Sequence, residues 1–245
     1  DTSNVYDMSG LFHNCGYNST VFALDLGEKF DTSNVIKMSD MFNGCGAKST
    51  VFTLDLGEKF DTSNVTNMKS MFRECGYSST KFTISLGDKF DTSKVTDMSN
   101  MFYRFGDESE EFTLDLGDHF DTSNVENMTY MFYACGYRSP VFKLNFGNKF
   151  NTSKVTDMYH MFSNCSKLQT LNISSFNIAS GCSVTSMLAG CTSLRHIYSP
   201  KINHVAIELP QGLTFYIYNT QMSEIVVNTS GNPKYYSTIK GSMWI

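Results

Sequence analysis

Apolar and polar residues return in the same order every 30 residues over the first part of the chain. The clearest marker is the segment Asp-Thr-Ser-Asn-Val, with related copies that begin at Asp1, Asp31, Asp61, Asp91, Asp121 and Asn151. A fixed period of this size without insertions is typical of a solenoid, in which similar coils stack on one another. We expect the polar side chains of this segment to bond the backbone at turns between elements.

The first half of each copy carries apolar residues at positions i, i+3, i+6 and i+7. In the third copy these residues are Val65, Met68, Met71 and Phe72. This spacing places all four side chains on one face of a short helix, and a threonine and a serine just upstream can cap it. We therefore predict a short helix in this half of every coil.

The second half of each copy alternates between apolar and polar residues. In the second copy Phe52, Leu54 and Leu56 alternate with Thr53 and Asp55, and a glycine follows. This period of two predicts a short strand with one buried face. The two halves together predict an α/β solenoid like a leucine-rich repeat, with a parallel β-sheet on one face and short helices on the other.

The repeat weakens after residue 165. A shortened copy follows, so we assign residues 1–195 to a solenoid of six 30-residue coils and one degenerate coil. Short β-like runs broken by Pro200, Pro210 and Gly231 then occupy the rest of the sequence. We predict a β-rich capping region at residues 196–245. Because the first copy starts within the pattern and has no cap, we expect the chain to be part of a longer array.

Composition narrows the classes of partner. The chain has 245 residues and a net charge of −5, and the recurring lysines Lys29, Lys59 and Lys89 are each next to an acid. Nucleic-acid binding requires a basic face, so we expect no nucleic-acid partner. No apolar run has the length of a membrane span, so we expect no transmembrane segment in these residues. No signal peptide is visible, which carries no information for a part of a longer array.

Five of the seven cysteines occupy one column, and Phe105 fills that column in the fourth copy. A position that accepts phenylalanine is a packing position, so we predict buried free thiols. Disulfides, including one between Cys182 and Cys191, and a metal site remain alternatives. Zinc sites normally contain cysteine pairs two to four residues apart, and the sequence has none, so we predict no metal and no cofactor.

Catalytic patterns are missing from the sequence. The five histidines share no column, and no serine or cysteine lies in a nucleophile motif. The glycines occur at fixed turn positions and not in a phosphate-binding loop. We therefore expect that the protein is not an enzyme.

The run from Phe60 to Phe72, Phe-Asp-Thr-Ser-Asn-Val-Thr-Asn-Met-Lys-Ser-Met-Phe, closely resembles the BspA-like leucine-rich repeats. These repeats were first grouped as a mycoplasma family of unknown function. The first five copies depart from the family pattern in a longer stretch between the cysteine and the strand. The resemblance implies a secreted or surface-anchored bacterial protein that adheres to host tissue, matrix or other cells.

The outward positions of the predicted strands are the first candidate site for a partner. One column contains threonines and the other acids: Thr53, Thr83, Thr113, Asp25, Asp55 and Asp115. The acids could accept a basic partner surface or a cation, because stacked like charges are unfavourable unless they are countered. The alternative is a solvated polar face that keeps the strands soluble.

The loop after the cysteine column provides a second candidate site. It places Tyr17, Tyr77 and Tyr137 in one column on a rim of the solenoid. Exposed tyrosine is enriched at interfaces, so these rings could form a contact stripe. Alternatively, they lie flat against the edge of the coil.

The sequence thus predicts an extracellular or cell-surface bacterial repeat protein that binds a protein or glycan on host cells or matrix. The alternative is a structural spacer that presents another domain and has no ligand of its own.

Overall fold

The repeated segment forms a parallel β-solenoid, in which each 30-residue copy makes one coil. The computed structural model describes residues 2–27, 29–57, 59–87 and 89–199. It also describes the backbone of four strands at 201–202, 214–217, 225–229 and 232–236. Within this part of the chain, no helix is long and apolar enough to cross a membrane.

One strand from each of the first five coils lies on the same side of the solenoid. These strands are β1 (Val21–Asp25), β2 (Val51–Asp55), β3 (Lys81–Ser85), β4 (Phe112–Asp115) and β5 (Phe142–Asn145). They pair in parallel, with each residue opposite its equivalent 30 positions later. The sheet is interrupted, because β1, β2 and β3 form one sheet and β4 and β5 form another.

The prediction of a short helix in each coil is wrong: the described residues there form a series of turns. The amides of Met68, Ser70 and Phe72 donate to carbonyls of the next coil at 3.1, 2.9 and 3.0 Å. Those of Met71 and Arg73 donate to carbonyls three residues back, both at 3.1 Å. Alternate amides therefore bond between coils and within the coil, so this side of the solenoid also has a backbone ladder.

Left-handed residues explain why the helix cannot form. Ser70 and Glu74 have φ angles of 57° and 53°, and the equivalent residues of the other coils are also left-handed. A right-handed helix requires a negative φ at every residue. The turn stack nevertheless buries the side chains that the helical spacing placed on one face, so the same apolar pattern fits both structures.

The apolar columns form a continuous spine. Met68 and Leu54 are both fully buried, and the whole methionine column is buried. In the strand column Leu114 is also buried, whereas Leu24, Ile84 and Leu144 are half-buried. Phe42, Phe72 and Phe102 stack one above another with ring centroids 5.5 and 5.7 Å apart. Such offset stacking adds to the burial of apolar area. The six cysteines after Cys15 are buried in or beside this spine, Cys15 is half-buried, and all seven are free thiols.

The Asp-Thr-Ser-Asn segment bonds the backbone at turns, as expected. The Thr32 hydroxyl donates to the Asp61 carbonyl at 2.8 Å, and the Asp61 amide donates to the same hydroxyl at 2.7 Å. The Ser33 amide donates to the Asp31 carboxylate at 2.9 Å. Equivalent bonds in other coils make a ladder of buried threonines between successive turns.

The shortened seventh copy contains β6 (Thr170–Asn172) and β7 (Asn177–Ile178). Further strands follow: β8 (His196–Ser199), β9 (Lys201–Ile202), β10 (Thr214–Ile217), β11 (Ile225–Thr229) and β12 (Asn232–Tyr236). One sheet has the strand order β10-β8-β6, and a second consists of β7 and β9. The strands β11 and β12 form a third, antiparallel sheet. Most of the predicted capping region at 196–245 lies outside the described residues, so its capping role stays a prediction.

Candidate interaction surface

The sheet face presents two outward columns of side chains, which are polar at every position except Ala23. Thr53 lies opposite Thr83 in the pairing of β2 with β3, and Asp25 lies opposite Asp55 in the pairing of β1 with β2. Both acids are exposed, as are Thr83 and Thr113, while Thr53 is half-buried. The fold therefore brings the predicted strand residues into adjacent columns, because their neighbours along each strand point into the spine.

The exposed acids also have a local structural role. One carboxylate oxygen of Asp25 accepts the amide of Gly27 at 2.8 Å, and Asp55 and Asp115 each accept the equivalent glycine amide at 3.0 Å. In the fifth coil the Asn145 side chain accepts the same bond at 3.2 Å. Each acid thus fixes the turn after its strand and has a second carboxylate oxygen available for a partner.

The three rim tyrosines do not form a continuous stripe. Ala47 and Asp107 occupy the same column in the second and fourth coils and are buried, so they separate the rings. Lys48 lies over the Tyr17 ring at 4.9 Å, and Arg104 lies over the Tyr77 ring at 4.4 Å. Tyr137, on the other hand, is exposed.

A charged cluster on the same rim joins the third, fourth and fifth coils. Asp107 is fully buried, and its carboxylate accepts the Arg138 amide at 3.0 Å and lies 3.5 Å from the Arg104 guanidinium. Arg104 also donates to the Tyr77 hydroxyl at 2.6 Å, and Arg138 pairs with Glu108. Burial raises the pKa of Asp107, although both arginines oppose the shift.

Sequence reasoning missed a cluster of aromatic rings on the turn segments of coils four to six. Tyr103 stacks on Tyr133 at 4.8 Å, Tyr130 stacks on His160 at 5.1 Å, and Tyr159 meets His160 edge-on at 4.2 Å. All five side chains are half-buried. Earlier copies have glycine, serine, lysine or other non-aromatic residues in most of these columns, so the change to aromatic residues was the available signal.

Two members of this aromatic cluster have unusual backbone conformations. Tyr130 and His160 have φ angles of 56° and 54°, at a position that the earlier coils fill with Gly10, Asp40, Ser70 and Asn100. Bulky residues rarely adopt this left-handed conformation, which costs about 1–2 kcal/mol. Contacts between the rings offset part of this cost.

Comparison with known proteins gives a family and no function. The family model described as "Mycoplasma protein of unknown function, DUF285" matches residues 1–105, 47–148 and 105–207. These matches overlap and together cover most of the chain. No curated protein and no solved structure matches the chain.

Proposed function

Because the chain belongs to the family described as "Mycoplasma protein of unknown function, DUF285", a repeat family, we propose that it is a binding module that uses the outer surface of its solenoid. It acts at the bacterial cell surface or outside the cell, where it adheres to a protein or glycan of host cells or matrix. The resemblance of its repeats to the BspA-like surface proteins supports this finer statement.

The observation that carries the proposal is the pair of outward columns on the sheet face. Apart from Ala23 and Lys143, their side chains are short and polar, and they stand on strands whose other side chains form a closely packed spine. A rigid base of this kind lowers the entropy that a surface loses on binding. Repetition of the same groups along the axis also allows several weak contacts to act together.

The acidic column can be tested without disturbing its turns. Asparagine accepts the glycine amide as Asn145 does, so D25N/D55N/D115N removes three charges and keeps the local bond. A matched control is D7N/D97N/D157N, which removes three charges from acids that also accept amides two residues later, but in the turn segments. Both triple variants therefore have the same net charge.

We expect the fluorescently labelled protein to bind saturably to cultured animal cells or reconstituted extracellular matrix. The D25N/D55N/D115N variant should lose most of this binding, particularly at low salt, and the D7N/D97N/D157N variant should retain it. Equal binding by both variants would remove the acidic column from the proposal.

The second candidate function is a structural spacer. It is favoured by backbone ladders on both the strand side and the turn side, which stiffen the coils along the axis. A spacer predicts no saturable binding by the wild-type protein to cells or matrix, and saturable binding would reject it.

A further inference from the structure

The sheet separates between β3 and β4. The Glu110 amide donates to the Thr80 carbonyl at 3.0 Å just before these strands begin. Beyond that bond, the described residues contain no backbone pairing between β3 and β4, although β3 pairs fully with β2 and β4 with β5. The turn segments of the same coils remain bonded, since Phe72 donates to Met101 at 3.0 Å. The gap is thus confined to the sheet side.

Backbone groups of β3 face this gap. The Ser85 carbonyl accepts the Leu56 amide at 3.1 Å, so Ser85 faces the second coil. Because the backbone groups of successive strand residues point in opposite directions, those of Phe82 and Ile84 face the fourth coil. They have no partner strand on that side.

The edge of β4 faces the gap in the same way. The Phe112 amide donates to the Val141 carbonyl of the fifth coil at 2.9 Å, so the backbone groups of Thr113 and Asp115 point back towards β3. Two parallel strand edges therefore face each other without bonds. An unpaired edge is a template for another extended segment.

Phe105 accounts for the separation. It occupies the column that holds cysteine in the other five coils, and it is fully buried. Its ring lies 4.8 Å from that of Phe82 and 5.6 Å from that of Phe112, and both contacts are edge-on. Phe82 and Phe112 meet nearly edge-on at 80°, whereas Phe52 stacks on Phe82 at 19°. A phenyl ring needs more room than a thiol and pushes the coils apart.

The gap also opens the spine to solvent. Phe82, Ile84 and Leu86 are half-buried, whereas the equivalent residues of the second coil are at most 2% exposed. The strand β3 has the same burial pattern as β1, the first strand of the sheet. Apolar side chains of a partner that cover this area remove it from water, which favours binding.

Charge around the gap favours a basic partner. Glu110, Glu111, Asp115 and Asp118 are exposed on the fourth coil, and none forms an ion pair within the described part of the chain. Lys81 is the one exposed basic residue of the two facing strands. The excess of acids would attract lysine or arginine side chains.

We propose that the gap between β3 and β4 binds an extended segment of a partner protein, which adds to the sheet as a strand with alternating apolar and basic residues. Its apolar side chains cover Phe82, Ile84 and Leu86, and its basic side chains contact the acids of the fourth coil. This inference rests on the proposed binding function, and it names the position of the site and the chemistry of the partner.

The first test uses a seven-residue peptide that alternates isoleucine with lysine and is blocked at both ends. Titration calorimetry should detect its binding to the whole protein, and hydrogen exchange should show new protection of the Phe82, Ile84 and Thr113 amides. A peptide with glutamate in place of lysine, and one with proline in the central position, should bind at least tenfold more weakly. Equal binding of the three peptides, or no binding of the lysine peptide, would overturn the proposal.

The second test uses variants of the protein. F105C restores the usual residue of the column and should allow β3 to pair with β4, so peptide affinity falls at least tenfold. E110Q/E111Q keeps Phe105 in place and should also weaken binding, whereas D7N/D97N, with the same charge change on the turn segments, should not. If F105C and E110Q/E111Q both bind the peptide as tightly as the wild type does, the proposal is wrong. Because the two variants are independent, the test still applies if one of them folds poorly.

Competition separates the two proposals. If the lysine peptide binds the gap but an excess of it does not displace the protein from cells, the binding function stands and the inference that this function uses the gap is wrong. If the peptide binds the gap but the protein binds neither cells nor matrix, the proposed adhesion fails and the docking geometry remains.

Discussion

At the scale of single residues, short polar side chains fix the turns. Asp31, Asp55 and Asp97 each accept the amide two residues later at 2.9, 3.0 and 2.8 Å. Each coil therefore has up to three such turns, one after the strand and two around the turn segment. Aspartate and asparagine exchange within these columns because both offer a side-chain oxygen at the same distance from the backbone.

Substitution of Asp55 tests this role. We expect D55A to lower the free energy of unfolding by about 0.5–1.5 kcal/mol, because the Gly57 amide loses its acceptor. D55N should differ from the wild type by less than D55A does, since it keeps the acceptor. Urea unfolding followed by circular dichroism measures both, and equal losses in the two variants would show that charge matters more than the turn bond.

Asp107 gives the protein a specific dependence on pH. Burial raises the pKa of this carboxyl above its usual value of 3.8, so the folded chain holds the proton more tightly than the unfolded chain. Its contribution to stability is therefore present below pH 3.8 and is lost as pH rises through the raised pKa.

The D107N variant should lack this pH-dependent contribution to stability, because an amide does not titrate. We expect its stability relative to the wild type to increase as pH rises from about 3.8 through the raised pKa. Urea unfolding of both proteins across this range measures the difference. A difference that falls as pH rises would show that Arg104 and Arg138 outweigh burial.

At the scale of elements, the turn segment buries its apolar side chains and satisfies its backbone amides, as a helix would, but with a different hydrogen-bond pattern. It buries Met68, Met71 and Phe72 on one side and satisfies alternate amides within the coil and between coils. The element depends on the stack, because half of its backbone bonds need the next coil.

Substitution of Asn100 distinguishes a turn from a helix at this position. It is left-handed at 59°, so N100G should be at least as stable as the wild type and N100A should be less stable by about 1–2 kcal/mol. A helix predicts the reverse order, with alanine more stable than glycine by about 1 kcal/mol. Thermal and urea unfolding of the two variants gives the sign, which is the decisive quantity.

At the scale of the whole molecule, each coil contacts mainly its two neighbours, so the fold is modular. The parallel register is constant at 30 residues through the first six coils, apart from the gap between β3 and β4. Stability is then close to a sum of coil and interface terms. The gap divides the sheet, while the turn side and the aromatic spine remain continuous.

Deletion of a whole coil tests this modularity. Removal of residues 31–60 joins the first coil to the third in the same register, so we expect a folded protein with a smaller denaturant m-value. Removal of residues 31–45 places strand residues against turn residues and should abolish cooperative unfolding. Similar behaviour of the two deletions would contradict the stacked register.

The sequence by itself determined the 30-residue coil, the buried columns and the strand positions, because each depends on local spacing of apolar and polar residues. It could not distinguish a helix from a turn stack, since both place Val65, Met68 and Phe72 on one side. The aromatic cluster and the gap at Phe105 were decided by the tertiary structure. Both arise where a residue in one coil meets its equivalent in the next, and that contact depends on the size and backbone conformation of both.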